Sequence, residues 1–352
     1  MTRAYNTATT QQNSGGAVAG VTAGKNAIIN GSMDIWQRGT SVAYGVNGVG
    51  YSVDRWYVRN TGSSTVTSRQ ATGDTTNLPN IQYCARYSRD SGSTNTAPLY
   101  FTQNIETANS IPYAGKTVTY SFYARKGANF SGTIAAQVFS GTGTDQNLIN
   151  GYTGQSQLLN SPIHSTLTTT WQRFTFTFAV GATATELAVH FDWTPSGTAG
   201  AADYLEVTGF QLEVGNVATP FSRAGSTIQG ELAACQRYYW RFQRDAANFN
   251  LMSSSGYAST TAIARFGLML PSAMRTMPTS IEQANIAANR ASTDVRYTSG
   301  TWAIAGTGGA NASNSVVEVA YTHGSGVFTQ GEVVNIQSTN ASNQYIGLSA
   351  EL

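Results

Sequence analysis

Long stretches of strictly alternating apolar and polar residues restrict most strongly how this chain can fold. In "RFTFTFAV" (173–180) the apolar parity runs through Phe174, Phe176 and Phe178, and the threonines lie between them. "ELAVHFDW" (186–193) alternates in the same way. Because successive side chains of a strand point to opposite faces, a period of two predicts strands with one buried face. Its recurrence over residues 27–223 predicts antiparallel sheets packed as a jelly-roll sandwich of roughly eight to ten strands.

One strand changes its buried parity partway along. In "DYLEVTGFQLEVG" (203–215) the apolar positions run through Leu205 and Val207 and then shift to Phe210 and Leu212. Gly209 lies at the shift. A residue inserted into one strand of a pair produces such a change, and glycine tolerates the backbone that it needs. The sequence therefore predicts a β-bulge at Gly209.

The pattern divides the chain into four parts. Residues 26–223 are predicted to form the jelly roll, and residues 246–352, rich in further alternating segments and Gly, Asn and Ser turns, a second β-sandwich-like C-terminal domain. Between them, residues 224–245 have a helical 4-3-4-3 spacing of apolar positions that gives way to "RYYWRF", so we expect a helix at about 227–235 that leads into a strand. The same spacing could support a helix bundle between subunits, although Gly230 weakens that alternative.

Residues 1–25 contain almost no large apolar side chains, so they cannot bury enough surface to fold alone. They are either a free tail or an extended N-terminal arm that orders against a partner. The predicted fold class is therefore all-β: an arm, a jelly-roll β-sandwich and a C-terminal β domain.

Composition argues against several classes of partner. Only 11% of residues are charged, the formal net charge is +2, and the basic residues form no cluster of the kind that nucleic-acid binding needs. The chain has no apolar run long enough to span a membrane and no standard secretory leader, so neither membrane insertion nor ordinary secretion is expected. Cys84 and Cys235 lie in unrelated segments and are expected to be small buried residues without a disulfide.

Catalytic and cofactor motifs are not found. His164, His190 and His323 have no neighbouring ligand at metal-site spacing, and no nucleophile elbow, phosphate loop or dinucleotide motif is present. We therefore expect no enzyme activity, no catalytic residue, no metal site and no cofactor.

Four carboxylates lie close together in sequence near the end of the first domain: Asp192, Asp203, Glu206 and Glu213. A polysaccharide-cleaving enzyme could use two of them, and Glu206 and Glu213 are expected to share a face because the parity shift lies between them. The alternatives are that all four are polar side chains of strands, or that some of them, or Asp34, hold a structural Ca²⁺.

Two aromatic residues are the candidate ligand-binding residues. Tyr152 lies in the long polar stretch 141–165, which is predicted to be an elaborated loop, and Trp193 lies at a strand end. Aromatic rings at such positions can stack on the apolar face of a sugar. The alternative for each is packing in the core.

Several motifs resemble those of a known family. "NAIINGSMDIWQRGTS" (26–41) with "YSVDRWYV" (51–58), "FQLEVGNVATPFSR" (210–223), "ELAACQRYYW" (231–240) and "LPSAMRTMPT" (270–279) are similar, in order, to motifs of phage and prophage tail-fibre proteins that carry a carbohydrate-binding-module-like jelly roll. Ser222 stands where an acidic residue is common in that family. The resemblance covers about residues 26–280.

This resemblance implies a structural protein of the virion, most of all a trimeric tail fibre or spike subunit that recognises a host-surface glycan, with residues 1–25 attached to other virion proteins. A capsid decoration or head fibre is the alternative, and a depolymerase is a further one. We expect the repeated Arg–Trp pairs, Arg38 with Trp36 and Arg55 with Trp56, to be structural, each guanidinium covering an indole at the end of the sandwich.

Overall fold

The computed structural model describes residues 25–244, 255–305, 314–339 and 343–352. The predicted arm therefore lies outside the described residues, apart from Lys25. The described chain is all-β, as the alternation predicted, with two β-units joined by one helix. None of the helices in these ranges is both long and apolar enough to cross a membrane.

The first unit is a jelly-roll sandwich of two six-stranded antiparallel sheets. Its strands are β1 (Ser41–Tyr44), β2 (Val49–Tyr51), β3 (Tyr57–Asn60), β4 (Thr65–Ala71), β5 (Tyr83–Arg89), β6 (Leu99–Ile105), β7 (Thr117–Lys126), β8 (Thr133–Gly141), β9 (Ser156–Pro162), β10 (Gln172–Ala179), β11 (Glu186–Thr194) and β12 (Tyr204–Val214). The first sheet has the order β1-β4-β5-β12-β7-β10 and the second β2-β3-β6-β11-β8-β9. A one-turn helix, α1 (Thr107–Ser110), continues into a 3₁₀ turn (Ile111–Tyr113), and another 3₁₀ turn (Leu148–Asn150) follows β8.

Aromatic rings fill the space between the two sheets. Trp56 is fully buried and stacks on Phe101 with ring centroids 4.7 Å apart, while Phe122 and Phe210 lie 5.5 Å apart. Burial of one such side chain contributes about 1.5–3 kcal/mol. The alternation seen in the sequence is therefore the pattern of residues that face this core.

The predicted β-bulge lies at Gly209. The pairing of β12 with β7 shifts between Thr208 and Gln211, and Gly209 has φ +64°. A Cβ at this position would lie 2.8 Å from Ile81 Cδ1 and 2.8 Å from Tyr123 Cδ2, so glycine is needed for space as well as for backbone conformation.

The junction contains the expected helix, α2 (Ile228–Gln236), followed by a strand, β13 (Tyr239–Arg244). Thr227 caps the helix by accepting a hydrogen bond from the backbone N–H of Gly230. Glu231, fully buried, accepts hydrogen bonds from the backbone N–H groups of Asn30 and Gly225, and so ties the helix to the opening motif. Cys84 and Cys235 are both buried and free, as predicted.

The second unit is built from a three-stranded sheet and a seven-stranded sheet, with the orders β13-β22-β16 and β18-β17-β21-β14-β15-β20-β19. Its remaining strands are β14 (Ser255–Ala258), β15 (Ile263–Met269), β16 (Ser280–Ala284), β17 (Ile286–Arg290), β18 (Val295–Tyr297), β19 (Thr301–Ile304), β20 (Val316–Thr322), β21 (Val333–Ser338) and β22 (Gln344–Ser349). Phe266, Val319, Ile336 and Leu348 are buried in its core. Because β13 pairs with β22, the second unit begins at Tyr239 and not at residue 246.

A buried cluster joins the two units, and we call it the interdomain clasp: Arg38, Arg55, Tyr238, Tyr239 and Glu351. The guanidinium carbon of Arg55 lies 3.4 Å from the ring centroid of Tyr238, and that of Arg38 lies 3.5 Å from the ring of Tyr239. Both arginines also pair with the carboxylate of Glu351, which is brought to the jelly roll by the segment after β22. The clasp thus brings together the opening segment, the junction and the C-terminal segment of the chain.

The clasp corrects one expectation. Arg38 and Arg55 are structural, as predicted, but they do not cover Trp36 and Trp56. Trp56 is already enclosed by the core, and the indole N–H of Trp36 donates to the carbonyl of Met33. The guanidinium groups instead lie on tyrosines of the junction, so they join two domains and do not close the end of one.

Candidate functional site

The outer side of the second sheet carries an unusual concentration of aromatic and hydrogen-bonding side chains. We call it the polar–aromatic face, and its residues are Tyr57, Arg59, Tyr100, Thr102, Gln137, Phe139, Asn160, His190 and Asp192. They occupy the parity opposite to the core residues on β3, β6, β11, β8 and β9. These outward-facing side chains are not simply solvated one by one, because they also pack against one another.

Strand register arranges these residues in two adjacent rows. One row crosses the sheet through Tyr57, Thr102, His190, Gln137 and Asn160, each directly paired with the next. Opposed side chains in neighbouring strands have Cβ atoms about 4.5–5.5 Å apart, so each row is continuous.

The second row begins with Arg59, Tyr100 and Asp192 and ends on small or ring residues, Ala135 and Pro162. The ring of Tyr100 also stacks on His190 of the first row, with centroids 5.2 Å apart and planes inclined by 30°. The two rows are therefore in contact as well as adjacent.

His190 lies at the centre of the face and is only 6% exposed. Its Nδ1 is 2.6 Å from the hydroxyl oxygen of Thr102, and Phe139 packs edge-on against the ring at 5.9 Å. Burial lowers the pKa of His190 to about 4, so the imidazole is neutral at pH 7. It acts there as a fixed polar ring and not as a cation.

This burial predicts a specific acid sensitivity. The unfolded chain protonates His190 near pH 6.5 and the folded chain only near pH 4, so the unfolded state binds the proton first as pH falls. The free energy of unfolding is therefore unaffected by this group above pH 6.5. It falls between pH 6.5 and 4, by up to about 3 kcal/mol. Urea unfolding of the parent and of His190→Gln at pH 7 and pH 4.5 measures it. Equal losses for both proteins would contradict this assignment.

Asp192 carries an oxygen that is not used by the fold. Its Oδ1 is buried and has no hydrogen-bond partner among the described residues. Burial raises the pKa of Asp192, and the pKa of the neighbouring Tyr100 is raised by burial and by this carboxylate, while Arg59 lowers it. A buried acceptor without a partner is costly to the fold, so this position is one of local electrostatic tension in the face.

The loop after β8 forms a wall at one end of the face. Leu148 and Tyr152 pack against Ala188 of β11 and against Phe139. Beside this wall lies a cleft of about 380 Å³, lined by Val49, Tyr57, Arg59, Ile149 and others. The polar–aromatic face is thus bounded at one end by this loop, with the cleft beside it.

Tyr152 does not hold the role predicted for it. It is 7% exposed, and its hydroxyl donates to the side-chain oxygen of Asn104 at 2.9 Å. The ring therefore fastens the wall to the sheet from inside and offers no free face to a sugar. The predicted loop of residues 141–165 is correct only in its first part, because β9 (Ser156–Pro162) lies within it and pairs with β8, and its tyrosine is a packing residue.

Trp193 is likewise an interior residue. It is 1% exposed, stacks on Phe130 at 4.9 Å, and its indole N–H donates to the carbonyl of Ser131 at 2.8 Å. It continues the core parity of β11 to the strand end. The expectation that it binds a ligand from the surface is therefore wrong for this structure, and the alternative of core packing is the one observed.

Glu206 and Glu213, two of the four carboxylates singled out in the sequence, lie too far apart to act together on one glycosidic bond. Glu206 and Glu213 share a face, as expected, since they pair with Arg125 and Thr119 of β7. These partners are six positions apart on β7, roughly 20 Å along a strand, whereas glycosidase carboxylates lie about 5–10 Å apart. Glu206 is held by Arg86 and Arg125, and Glu213 by Gln211 and Thr219.

The acids considered for calcium have protein partners. Asp34 accepts from Arg223 at 2.7 Å and from Ser32 at 2.6 Å, and Asp203 pairs with Arg89 at 2.7 Å. No group of three or more His, Cys, Asp or Glu side chains in the described ranges is placed to hold a metal ion.

Sequence reasoning missed the residues that define the face: Tyr57, Arg59 and Tyr100. The sequence does carry one signal for them, since the polar residues at every second position of these strands mark the outer side of the sheet. The alternation of "ELAVHFDW" puts His190 and Asp192 opposite its apolar side, but their neighbours across the sheet depend on strand order, which the alternation does not give.

No protein-family model matches the chain, and no curated protein matches its sequence. Solved structures with similar folds include a putative sugar-binding protein from Bacteroides thetaiotaomicron (13% identity, TM-score 0.34, 54% of this chain and 100% of that one) and the xylan-binding CBM22-1 domain from Paenibacillus barcinonensis (14%, TM-score 0.31, 56% and 100%). The enzymatically active domain of a tailspike protein from bacteriophage CBA120 is also similar (12%, TM-score 0.31, 54% of this chain). This chain spans only 21% of the tailspike chain. These similarities concern the jelly-roll fold alone, and the tail-fibre resemblance stays a prediction.

Proposed function

We propose that the protein is a non-enzymatic, glycan-binding subunit of a phage particle, and that the polar–aromatic face is its glycan site. The observation that carries the glycan part is the continuous pair of rows, in which the half-buried rings of Tyr57 and Tyr100 lie beside the hydrogen-bonding side chains of Arg59 and Asp192.

The chemistry of the face suits a sugar. A pyranose ring has an apolar C–H face and hydroxyl groups around its edge. Tyr57 and Tyr100 are half-buried rings that can take the apolar face, while Asp192 accepts and Arg59 donates hydrogen bonds. Because these groups lie on adjacent strands of one rigid sheet, their spacing is fixed before the ligand arrives, which lowers the entropy cost of binding.

Replacing Tyr100 by alanine is expected to weaken glycan binding by about tenfold, since an aromatic contact contributes about 0.5–1.5 kcal/mol beyond the area that it buries. The measurement is a glycan-array screen of the full chain, followed by titration of the best ligand with parent and variant proteins. Circular dichroism and thermal unfolding confirm that the variant is folded.

Tyr257→Ala is the matched control, because Tyr257 is a 52% exposed tyrosine on the second unit. It should bind like the parent protein. Equal affinity of the Tyr100 and Tyr257 variants, or no glycan bound by the parent at any density, would overturn the assignment of this face.

The particle part of the proposal is supported by the ordered tail-fibre motifs and by the low charge of the chain. We place the protein on the virion as a homotrimeric tail fibre or spike subunit, in which three weak sugar sites act together and gain avidity. Residues 1–25 would contact the other virion proteins.

The solution mass of the full chain, together with antibody labelling of phage particles, tests this part. A trimer that labels the tail supports it, whereas label on the head favours a decoration or head-fibre protein. A monomer that labels no particle contradicts it. Loss of polysaccharide chain length on incubation with the protein would contradict the non-enzymatic assignment.

A further inference from the structure

The first sheet also has an outer side, and it differs in character from the polar–aromatic face. We call it the arginine face: Arg86 on β5, Arg125 on β7 and Arg173 on β10, with Glu206 on β12. The two sheets pack face to face, so this cluster lies on the opposite side of the sandwich. It is used neither by the interdomain clasp nor by the proposed glycan site.

Glu206 positions two of these arginines. Register places it directly between Arg86 and Arg125 in one cross-strand row. Glu206 is fully buried and accepts from Nε of Arg86 at 2.8 Å with one oxygen and from Nε of Arg125 with the other. Among the described residues the two terminal nitrogens of Arg125 have no protein acceptor, and the side chains of Arg86 and Arg125 are 30% and 26% exposed.

Aromatic rings support all three guanidinium groups. Arg86 lies 4.0 Å above the ring of Tyr204, and Arg125 lies 4.7 Å from the ring of Trp171. Arg173, which is exposed, lies 5.7 Å from the ring of Tyr123 and donates to Ser121. Stacking limits the rotamers of a guanidinium without neutralising it, so donors are held ready at the surface.

The local charge is positive. Three arginines surround one buried carboxylate, and the positive charge of Arg125 also reaches Asp74, a partly exposed residue. Hydrogen bonds from Asn77 are the main reason that the pKa of Asp74 is lowered, and Arg125 contributes least. The face therefore offers more fixed donors and positive charge than the fold itself consumes.

We infer that the arginine face is a second ligand site, which binds the anionic substituents, carboxylate or phosphate, of an acidic polysaccharide. Planar guanidinium groups match both kinds of oxyanion in pairs of parallel hydrogen bonds. This inference goes beyond the glycan site proposed above, because it concerns another sheet and another chemistry and does not depend on it.

The number of charges favours a polysaccharide over a nucleic acid. Duplex DNA carries a charge about every 1.7 Å, and its binding is driven by neutralising many phosphates at once. Three arginines, two of which share the buried carboxylate of Glu206, fit the sparser charges of an acidic polysaccharide.

The test uses the full chain and four probes: polygalacturonate, a glycerol-phosphate polymer, neutral dextran and duplex DNA. Calorimetric titration of each is done with the parent, with Arg173→Gln and with the charge-neutral double variant Arg125→Gln/Glu206→Gln, which leaves no buried carboxylate unpaired. Arg265→Gln, a comparably exposed arginine of the second unit, is the control.

We expect an acidic polymer to bind and dextran not to bind at this face, with affinity falling about tenfold between about 50 and about 200 mM salt. Arg173→Gln should weaken the affinity for the acidic polymer severalfold, and the double variant should weaken it further. Arg265→Gln should leave this affinity unchanged. Asp74→Asn should increase it, because it removes a nearby negative charge. Comparing the affinity for polygalacturonate with that for the glycerol-phosphate polymer shows whether the face prefers carboxylate or phosphate groups. Tyr100→Ala should leave this binding intact, which separates the two sites. No binding of either acidic polymer, equal effects of Arg173→Gln and Arg265→Gln, or tighter binding of DNA would overturn the inference.

Discussion

Replacing Asp203 by alanine is expected to lower the free energy of unfolding of the jelly roll by about 3–5 kcal/mol, because it leaves a buried arginine without a counter-ion. Asp203 and Arg89 are both fully buried at the side-chain level, and the carboxylate oxygen lies 2.7 Å from Nη1 of Arg89. Few single changes in this chain should cost more.

The size of the effect follows from what Arg89 holds together. Its Nη2 donates to the carbonyls of Ser93, Asn95 and Gly197, and Asp203 accepts from the backbone and hydroxyl of Ser131. Three loops at one end of the sandwich, those that contain Asn95, Ser131 and Gly197, are therefore hydrogen-bonded to a single ion pair. Without the carboxylate, these loops must either rearrange around a desolvated charge or admit water.

Urea unfolding measures the loss, with Asp90→Ala as the control. Asp90 is an exposed aspartate one residue from Arg89 and should change stability by no more than about 0.5 kcal/mol. The double variant Arg89→Met/Asp203→Leu should recover only part of the lost stability, since apolar residues remove both buried charges together but leave the backbone groups that the pair binds without partners. A loss below about 1 kcal/mol for Asp203→Ala would mean that the pair is not closed to solvent as described.

The sequence predicted those features that are local along the chain. Alternation identified the strands and their buried sides, a glycine at a parity shift located the bulge, and the spacing of apolar residues located α2 before "RYYWRF". Each of these depends on residues within about ten positions of one another, because the period of a strand or helix is set by the backbone.

Features that depend on tertiary register could not be obtained in this way. Arg38 stacks on Tyr239 and Arg55 on Tyr238, contacts between residues about two hundred positions apart. The polar–aromatic face likewise exists only because β6 lies between β3 and β11. Tyr152 and Trp193 illustrate the converse: an aromatic residue in a loop or at a strand end looks available in sequence, and the fold buries it.

Replacing Glu351 by glutamine should uncouple the two β-units. Glu351 is the shared counter-ion of Arg38 and Arg55, and the three side chains are 5%, 9% and 2% exposed. The amide keeps the shape and one acceptor oxygen but removes the charge, so the buried Arg55 of the jelly roll loses its counter-ion and Arg38 keeps only the longer pair with Glu282, at 3.8 Å. Breaking a buried pair of this kind costs about 3–5 kcal/mol. Calorimetry should therefore change from one unfolding transition to two, because each unit retains its own core.

The matched control is Glu318→Gln. Glu318 pairs with Arg265 within the second unit, where the two side chains are 19% and 31% exposed, and loss of such a surface pair costs about 1 kcal/mol or less. Other contacts at the boundary, such as the hydroxyl of Tyr51 donating to the carbonyl of Leu352, remain in both variants and cannot account for a difference between them. If Glu351→Gln and Glu318→Gln both unfold in one transition at the same temperature, the clasp does not couple the domains. If only Glu351→Gln splits the transition, the arginines of the jelly roll and the tyrosines of the junction couple the two β-units into one cooperative folding unit.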